Sequence, residues 1–362
     1  MIVIYTLPVE LTRKRISDIG KKIEQKNSVF AEKRYLDSMI LPSKIMGREV
    51  ETEKLLSSIL SLSDGFVVPF VSVYGRSGSG KSTVIKFACE NLLDLVSFRF
   101  VNLRKAKTIF GCTNMILENL QGESISSAQG LNNAVDCIQS QIEFILEKEG
   151  KKYFVLVMDE YDVIFSDSRG NPSDFVYKLL QLGENLREKG MWVCMITIPN
   201  NALYEYDLDD RVKSRMGSSE VHFMPYSEDD VFGMLSDRSK KAFKIKPDND
   251  VLKHCAKLAS SDHGDARRAL DLLRVAGEIC DGNSINMHDV EKSLTLTQKD
   301  RFDEIVANAS YHMMCVVGAI VSLAIVKEQS WAATSNIFKK YAEIVSDEQT
   351  PLKYSRVSDL LV

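Results

Sequence analysis

The sequence predicts an α/β protein built on a doubly wound parallel sheet and completed by helices. Between residues 41 and 218, apolar runs alternate with helical stretches, and near-continuous Val, Ile and Phe are typical of parallel strands covered on both faces. The expected strands are PFVSVYG, VSFRFVNL, YFVLVMDE, MWVCMITI and SEVHFMPY. A glycine-rich loop directly after the first strand supports this class. From about residue 225 the pattern is helical only, which predicts a separate helical domain.

The bulk composition is that of an ordinary globular protein. The 362 residues are 44% apolar and 27% charged, which excludes a disordered chain and predicts two or three domains. The net charge of -4 argues against a uniformly basic nucleic-acid coat, although local basic patches are compatible with it. The seven cysteines show no CxxC and no metal-ligand spacing, so we expect reduced thiols. Four of them are expected in the core: Cys89, Cys112, Cys137 and Cys194.

Neither the N-terminus nor any internal segment predicts a membrane protein. The first residues, MIVIYTLPVELTRKR, lack the basic and apolar regions of a secretory signal. The longest apolar run, Met313 to Val326, is too short to span a bilayer and is expected to be a buried core helix. We therefore expect a cytoplasmic protein with no membrane partner.

The segment GRSGSGKS, from Gly75 to Ser82, matches a phosphate-binding P-loop and lies between a strand and a helix, as that motif requires. Its glycines let backbone N–H groups point at a phosphate, at the positive end of the following helix. Lys81 would neutralise the β and γ oxygens, and Ser82 would hold Mg²⁺. The expected nucleotide-binding residues are Gly75, Arg76, Ser77, Gly78, Ser79, Gly80, Lys81, Ser82 and Thr83.

Two adjacent carboxylates, Asp159 and Glu160, end the strand in VLVMDEYD. Two adjacent carboxylates at the end of a buried strand lower the stability of the fold unless they bind a cation and a water. Asp159 is the expected second Mg²⁺ residue, and Glu160 the residue that polarises the attacking water. Since no N-K-x-D motif for guanine is present, ATP and ADP are the expected nucleotides.

Five segments together resemble the AAA+ ATPases, and within them the archaeal replication initiator family, which is related to origin-recognition subunit one and cell-division-cycle six. The segments are LPSKIMGRE, GRSGSGKST, VLVMDEYD, RVKSRM and GDARRALDLLRVAGEI. The resemblance covers residues 41 to 298, with a weaker continuation to residue 362. It implies an N-terminal arm or peripheral helix (1–40), an AAA+ base domain with a five-stranded sheet (41–218), an all-α lid (219–300) and a partial, truncated winged-helix domain (301–362).

The resemblance also implies roles for residues around the nucleotide. Ile45 to Glu49 would lie over the adenine and ribose. Asn200 corresponds to the polar sensor that holds the lytic water, although the sequence TIPNNAL leaves Asn201 and Thr197 as alternatives. Arg267 matches the sensor arginine that reaches from the lid to the γ-phosphate. The implied activity is slow ATP hydrolysis.

Two sets of cations are the expected DNA contacts. Arg104, Lys105 and Lys107 flank an insertion at 104–130, which occupies the place of the family's minor-groove wedge; a solvated basic face is the alternative. The segment TPLKYSRVSDLLV resembles the recognition helix of a winged helix, with Thr350 as N-cap and Pro351 at its first position. Tyr354, Val357, Leu360 and Leu361 would pack inward. Lys353 and Arg356 would point outward to phosphates or base edges.

A basic segment, DDRVKSRMG, follows the fourth strand and carries Arg211 and Arg215 on one face of a short helix. In AAA+ proteins this segment faces the ATP of a neighbouring subunit, where an arginine stabilises charge on the γ-phosphoryl group. RVKS favours Arg211, whereas SRM favours Arg215. The alternative is a pair of salt bridges to Asp209 and Asp210.

The function expected from these features is that of a DNA-binding initiator ATPase in an archaeal cell. Its expected partners are double-stranded origin DNA, related initiator subunits in homo- or hetero-oligomers, and the replicative helicase, in a nucleoid-associated location. A clamp-loader-like ATPase that remodels a protein partner is the first alternative, against which GDARRALDLLRVAGEI and the helix-turn-helix tail count. A nucleotide-gated signalling switch is the second, and no fused sensor domain supports it.

Overall fold

The computed structural model describes residues 12–26, 29–216, 219–261, 264–327, 332–345 and 350–361. The chain divides into two compact units, Met1–Val290 and Glu291–Val362. The first unit holds a sheet-based domain and a helical domain, and the second is helical wherever it has regular structure in the described ranges.

The sheet is five-stranded and parallel, which confirms the predicted fold class. The strands are β1 (Phe70–Gly75), β2 (Val96–Asn102), β3 (Tyr153–Asp159), β4 (Trp192–Ile198) and β5 (Ser219–Phe223), in the order β2-β3-β4-β1-β5. All four neighbouring pairs are parallel. Because the strands are parallel, the carboxyl ends of β1, β3 and β4 lie at one edge of the sheet, and ligands bind at this edge in sheets of this class.

Helices cover both faces of the sheet. They are α2 (Glu49–Leu60), α3 (Lys81–Glu90), α4 (Ile109–Asn119), α5 (Gly130–Glu149), α6 (Pro172–Glu188) and α7 (Asp210–Met216). Helices α2 and α3 share one apolar cluster with the sheet, and α4 to α7 share the other. Helix α1 (Arg13–Lys26) precedes the domain.

The insertion after β2 is packed onto the sheet. One face of α4 is buried through Ile109, Cys112 and Ile116. One apolar face of α5 is also buried, at Val135, Ile138, Ile142 and Ile145, while Leu131 on this helix is half-buried. Because both helices bury apolar faces in the core, only the connection at 123–130 is largely exposed.

The helical domain of the first unit consists of α8 (Glu228–Ala242), α9 (Asn249–Ser261), α10 (Ala266–Ile279) and the start of α11 (Met287–Ala307). Residues 29–36, which we assigned to the N-terminal arm, belong to its core. Val29, Phe30 and Leu36 are buried there, and the Phe30 ring stacks on Phe243 at a centroid distance of 5.0 Å. The many charges between these few apolar residues hid this role from the sequence pattern.

The second unit contains most of α11, then α12 (Tyr311–Lys327), α13 (Thr334–Ile344) and α14 (Tyr354–Asp359). Helix α12 was expected to be buried all round, but only one face is: Val316 and Ala319 are buried, whereas Met314 and Val321 are exposed. Among the described elements, α13 is the one that packs extensively on α12, and it covers one face.

The last helix begins later than predicted. Its N-cap is Lys353, not Thr350, and Pro351 does not start it. The main-chain N–H of Leu352 donates instead to the Tyr341 hydroxyl at 3.0 Å, so a tertiary contact holds the segment outside the helix. Val357 is buried and Leu360 and Leu361 are half-buried as expected, but Tyr354 is about half exposed.

The cysteines fit the expectation of buried thiols. Cys89, Cys112 and Cys194 are buried, Cys137 is half-buried, and burial raises the pKa of the first three to about 12. Across the described residues, no helix combines the length and apolarity needed to span a bilayer.

Candidate functional site

The P-loop lies between β1 and α3, at the carboxyl edge of the sheet. Gly80 is the N-cap of α3 and has a φ of 89°, in the left-handed region that favours glycine. A Cβ at Gly80 would also collide with the Tyr226 hydroxyl, and one at Gly78 with the Asp265 carboxylate. The loop is therefore closely covered by residues from beyond β5.

Lys81 is oriented along the P-loop. Its Nζ donates to the carbonyl oxygens of Gly75 at 2.7 Å and Arg76 at 2.9 Å. Burial lowers the pKa of Lys81, while the Asp159 carboxylate opposes this shift. Phosphate oxygens bound in the loop would give this partly desolvated ammonium an anionic partner, and such a partner favours its charged form.

Asp159 and Ser82 form a pair of oxygen ligands. The Ser82 hydroxyl donates to Asp159 Oδ2 at 3.1 Å, so the two oxygens could enter one coordination sphere. The Asn102 amide donates to the same oxygen at 3.3 Å, and the Glu160 N–H donates to Asp159 Oδ1 at 3.0 Å. Mg²⁺ prefers such hard oxygen ligands and takes only one or two from the protein beside substrate phosphates. The residues fit that ion, and the described part of the chain holds no cluster of three or more metal-binding side chains.

Glu160 has a strained backbone. Its φ of 55° lies in the left-handed region, which is rare for a residue other than glycine. This conformation follows β3 directly and turns the chain into the next short helical segment at Tyr161–Ser166. The side chain is half-buried and lines the cavity at the edge of the sheet.

Of the three sensor candidates, Thr197, Asn200 and Asn201, only Asn200 is among the residues that line the cavity. Its Nδ2 donates to Asp162 Oδ2 at 2.8 Å. Thr197 is fully buried within β4, and Asn201 is exposed with its main-chain N–H directed to the Tyr206 hydroxyl at 3.4 Å. The structure thus separates candidates that the sequence left open, and favours Asn200 by position.

Arg267 joins the helical domain to the P-loop. Asp265 caps α10, and the Arg267 Nε lies 3.3 Å from its carboxylate. The Arg267 Nη2 donates to the Ser77 hydroxyl, and the Ala266 N–H donates to the Gly78 carbonyl at 3.4 Å. The amino end of α10 therefore contacts the loop in which phosphates would bind.

A cavity of about 640 Å³ extends from these residues to an apolar wall. This volume lies within the range of small-molecule and cofactor sites. Its wall combines a loop before α2 with two helices of the helical domain: Ser38, Met39, Ile40, Leu41, Ile45, Met46, Val231, Met234, Leu235 and Leu270.

Only part of the predicted segment Ile45 to Glu49 faces the cavity. Ile45 and Met46 line it, whereas Arg48 is buried and points elsewhere. Arg48 donates to the Met224 carbonyl, pairs with Glu51 at 2.9 Å, and lies 3.9 Å over the Tyr226 ring. It therefore braces the connection between β5 and α8, where its charge has both an anionic and an aromatic partner.

The two candidate arginines of α7 have different surroundings. Arg211 is exposed, and in the described residues its guanidinium has no ion pair; only its main-chain N–H contacts Asp209, at 2.9 Å. Arg215 lies 5.3 Å over the Tyr177 ring and 3.9 Å from Glu184 on α6. The alternative of salt bridges to Asp209 and Asp210 is not what the structure has.

The predicted DNA contacts are exposed in each of the two units. Arg104, Lys105 and Lys107 are exposed after β2, and Arg104 also lines the cavity. Lys353 and Arg356 are exposed in the second unit, where Arg356 lies 3.9 Å from Asp359.

Four residues of the site escaped sequence reasoning: Asn102, Asp162, Tyr226 and Asp265. Asn102 pairs in register with Asp159, so a polar residue at the end of β2 was a usable signal. Asp265 is a typical N-cap before the ARRALDLL helix. Tyr226 and Asp162 carried no pattern that distinguishes them from surface residues.

Two family profiles match the chain. Residues 71–220 match the ATPase family associated with various cellular activities (AAA), and residues 232–292 match the Cdc6 AAA+ ATPase-type lid domain. Together they cover the P-loop, most of the sheet, most of α8 and the whole of α10, which carries Arg267.

Similar proteins cover nearly the whole chain. The ORC1-type DNA replication protein of Desulfurococcus amylolyticus is 28% identical over 96% of this chain and 88% of its own length. ORC1-type DNA replication protein 1 of Sulfurisphaera tokodaii is 28% identical over 93% and 84%. Among solved structures, the Aeropyrum pernix ORC1 protein in complex with DNA has a TM-score of 0.70 at 26% identity, over 92% of this chain and 86% of that one.

Proposed function

Because this chain belongs to the archaeal replication initiator family of AAA+ ATPases, the ORC1/Cdc6 type, we propose that it binds duplex origin DNA and that ATP and ADP set the DNA-binding state. The observation that carries the switch is the contact of Arg267 on the helical lid with Ser77 on the P-loop. Through it, a change at the phosphates changes the position that the lid prefers.

In this proposal the chain's residues divide the work of a slow ATPase. Lys81 binds the β- and γ-phosphate oxygens in place of its present carbonyl partners. Ser82 and Asp159 hold Mg²⁺, which neutralises phosphate charge when bound. Glu160 accepts the proton of the attacking water and Asn200 orients that water, both from the cavity wall.

Arg267 detects the γ-phosphate. Its side chain is half exposed, and among the described residues its guanidinium contacts a neutral hydroxyl, that of Ser77, and the carboxylate of its own N-cap, Asp265. A γ-phosphate beside Ser77 offers it a dianionic partner, whereas ADP does not. ATP therefore favours a lid held against the P-loop, and hydrolysis with phosphate release weakens that state.

Arg211 is proposed to act on a neighbouring protomer's ATP. It is the exposed cation of α7 without an ion pair in the described residues, whereas Arg215 is partly occupied by Tyr177 and Glu184. An arginine delivered across an interface must be free to leave its own surface, which favours Arg211 over Arg215.

For DNA contact we propose the exposed cations after β2 (Arg104, Lys105 and Lys107) and those beside α14 (Lys353 and Arg356). Support comes from the Aeropyrum pernix ORC1 protein, whose structure is a complex with DNA and which is 26% identical to this chain. Contacts of such cations with the phosphate backbone would fix the register of the protein on the duplex without reading its sequence.

Fluorescence anisotropy with a labelled duplex of about 30 base pairs tests the proposal. We expect binding at low salt, with an affinity that falls steeply as salt rises because counterions are released. Lys81→Ala, which keeps every proposed DNA cation, should retain binding but lose its response to ATP. Wild-type protein that does not retain duplex DNA at low salt would exclude the initiator function.

A further inference from the structure

One wall of the cavity is a loop that has no regular structure of its own. Residues 37–44, which we call the base-side loop, contain no helix or strand, and Ser38, Met39, Ile40 and Leu41 from this loop line the cavity. Met39 is 84% exposed, so burial of its own side chains does not anchor the loop. Its position must come from contacts with a neighbouring element.

Arg238 on α8 provides the central contact. Its Nη1 donates to the carbonyls of Tyr35 at 3.0 Å and Asp37 at 3.1 Å, and its Nη2 donates to the carbonyl of Ile40 at 2.9 Å. One planar guanidinium thus holds three main-chain oxygens at the start of the base-side loop. Lysine cannot reproduce this arrangement, because its single ammonium has no fixed fork of donors.

Two more residues on the same turn of α8 reinforce this attachment. Asp237 pairs with Lys44 at 3.1 Å. Lys241 donates to the Ser43 hydroxyl at 3.3 Å and lies 5.2 Å over the Tyr35 ring. Each of these contacts depends on an exposed lysine and contributes little on its own, so we assign the main role to Arg238, which is half-buried and makes three hydrogen bonds.

The segment before the loop is attached to the same domain. The Ala31 N–H donates to the Ala242 carbonyl at 2.8 Å, and the Lys244 N–H donates to the Val29 carbonyl at 2.9 Å. Leu36 is 1% exposed within the core of the lid helices. By these contacts, the segment from residue 29 to residue 44 is attached to the lid, whereas Ile45, directly after it, packs against the apolar cluster of the sheet.

We propose that Arg238 is a positioning residue for the nucleotide base: it holds the base-side loop on α8, so that the lid carries its own wall of the base site. This inference rests on the proposed nucleotide binding and extends it to the base. When the lid opens, this wall would therefore move away together with the lid helices. The base would be bound by the lid and the phosphates by the sheet domain, and these two parts can separate.

Isothermal titration calorimetry with two ligands tests this role. ADP probes both ends of the cavity, whereas inorganic tripolyphosphate probes the phosphate end alone. For Arg238→Met we expect ADP affinity to fall by about 10- to 100-fold, because ADP binding must then order the loop, with tripolyphosphate affinity within about 2-fold of wild type. Arg238→Lys should weaken ADP less. Lys240→Met, an exposed change on the same helix, is the matched control and should behave as wild type.

The outcomes separate this inference from the proposed function. Equal ADP affinity in wild type and Arg238→Met would overturn the positioning role alone. A parallel loss of ADP and tripolyphosphate affinity would also overturn it, since that result indicates a general effect on the fold. If Arg238→Met does not fold, the comparison is made with Arg238→Lys. Wild-type protein that binds neither ligand would contradict nucleotide binding itself, whatever the variants do.

Discussion

The phosphate end of the cavity and its base end differ in how their residues are distributed along the chain. The phosphate end is built from the P-loop and from residues at or just after the ends of strands in one parallel sheet, such as Asp159 and Asn200. The base end combines a loop at 37–44 with helices α8 and α10, about 200 residues further on (Arg238 and Ile40 are 198 apart).

This difference has a mechanical consequence. The phosphate end is anchored at the ends of β1, β3 and β4, whose residues are almost all buried, so its geometry is rigid. The base end is carried by the lid, which reaches the P-loop through a few polar contacts of Asp265, Ala266 and Arg267. A ligand that bridges both ends therefore couples a fixed part to a movable one, which is what a nucleotide-controlled switch requires.

The largest expected effect tests the catalytic part of the phosphate end. Glu160→Gln removes the proton acceptor without changing the size of the side chain, so ATP binding should persist while turnover falls by about 1,000-fold. Single-turnover hydrolysis of radiolabelled ATP measures this. Turnover equal to wild type would mean that another group activates the water.

Lys81→Ala should damage binding at the phosphate end. The lysine supplies the main charge to the β- and γ-phosphates, and we expect ATP and tripolyphosphate to bind about 100-fold more weakly, roughly 3 kcal/mol. Titration calorimetry gives both values. Lys81→Ala should therefore weaken tripolyphosphate binding, whereas Arg238→Met should leave it unchanged. Equal losses of tripolyphosphate affinity in the two variants would contradict the distinction between the two ends.

Arg267→Ala tests the link between the ends. Wild-type protein should prefer ATP to ADP, and the variant should lose most of that preference, about 10-fold, because the contact with the γ-phosphate is gone. Competition of ATP and ADP against a fluorescent nucleotide gives the ratio. Arg267→Lys keeps the charge and should keep part of the preference; a full preference in Arg267→Ala would place γ-phosphate detection elsewhere.

The smallest expected effect concerns α7. Arg211→Ala should leave ATP affinity unchanged and remove only the increase of turnover per protomer that appears at high protein concentration. Steady-state hydrolysis over a concentration series measures this, with Arg215→Ala beside it. Turnover that does not depend on concentration, in wild type and in both variants, would exclude an arginine acting between protomers.

The sequence predicts the phosphate end far better than the base end, and the reason is physical. The P-loop and the carboxylates of β3 need particular residue types at fixed spacings next to strands, so their chemistry is visible in a single segment. Asn102 was within reach of the same reasoning, since it lies in register with Asp159.

The base end has no such local constraint. Phe30 and Leu36 read as a few apolar residues in a charged arm, yet they are buried in the lid core. Arg238 binds main-chain carbonyls, which any residues can supply, so its partners have no sequence signal. The predicted start of α14 was wrong for a similar reason. The main-chain hydrogen bond of Leu352 to Tyr341 is a tertiary contact, and it outweighs the local preference of Thr350 and Pro351 for a helix start.

The proposed switch requires that the bound nucleotide changes the affinity for DNA. The Glu160→Gln variant allows this to be measured directly, because it should bind ATP without hydrolysing it. Its dissociation constant for a labelled origin duplex is measured by anisotropy in saturating ATP and in saturating ADP, at one fixed salt concentration. We expect the two constants to differ by about 10-fold, within the usual range of allosteric coupling. Equal dissociation constants in ATP and in ADP would contradict the account.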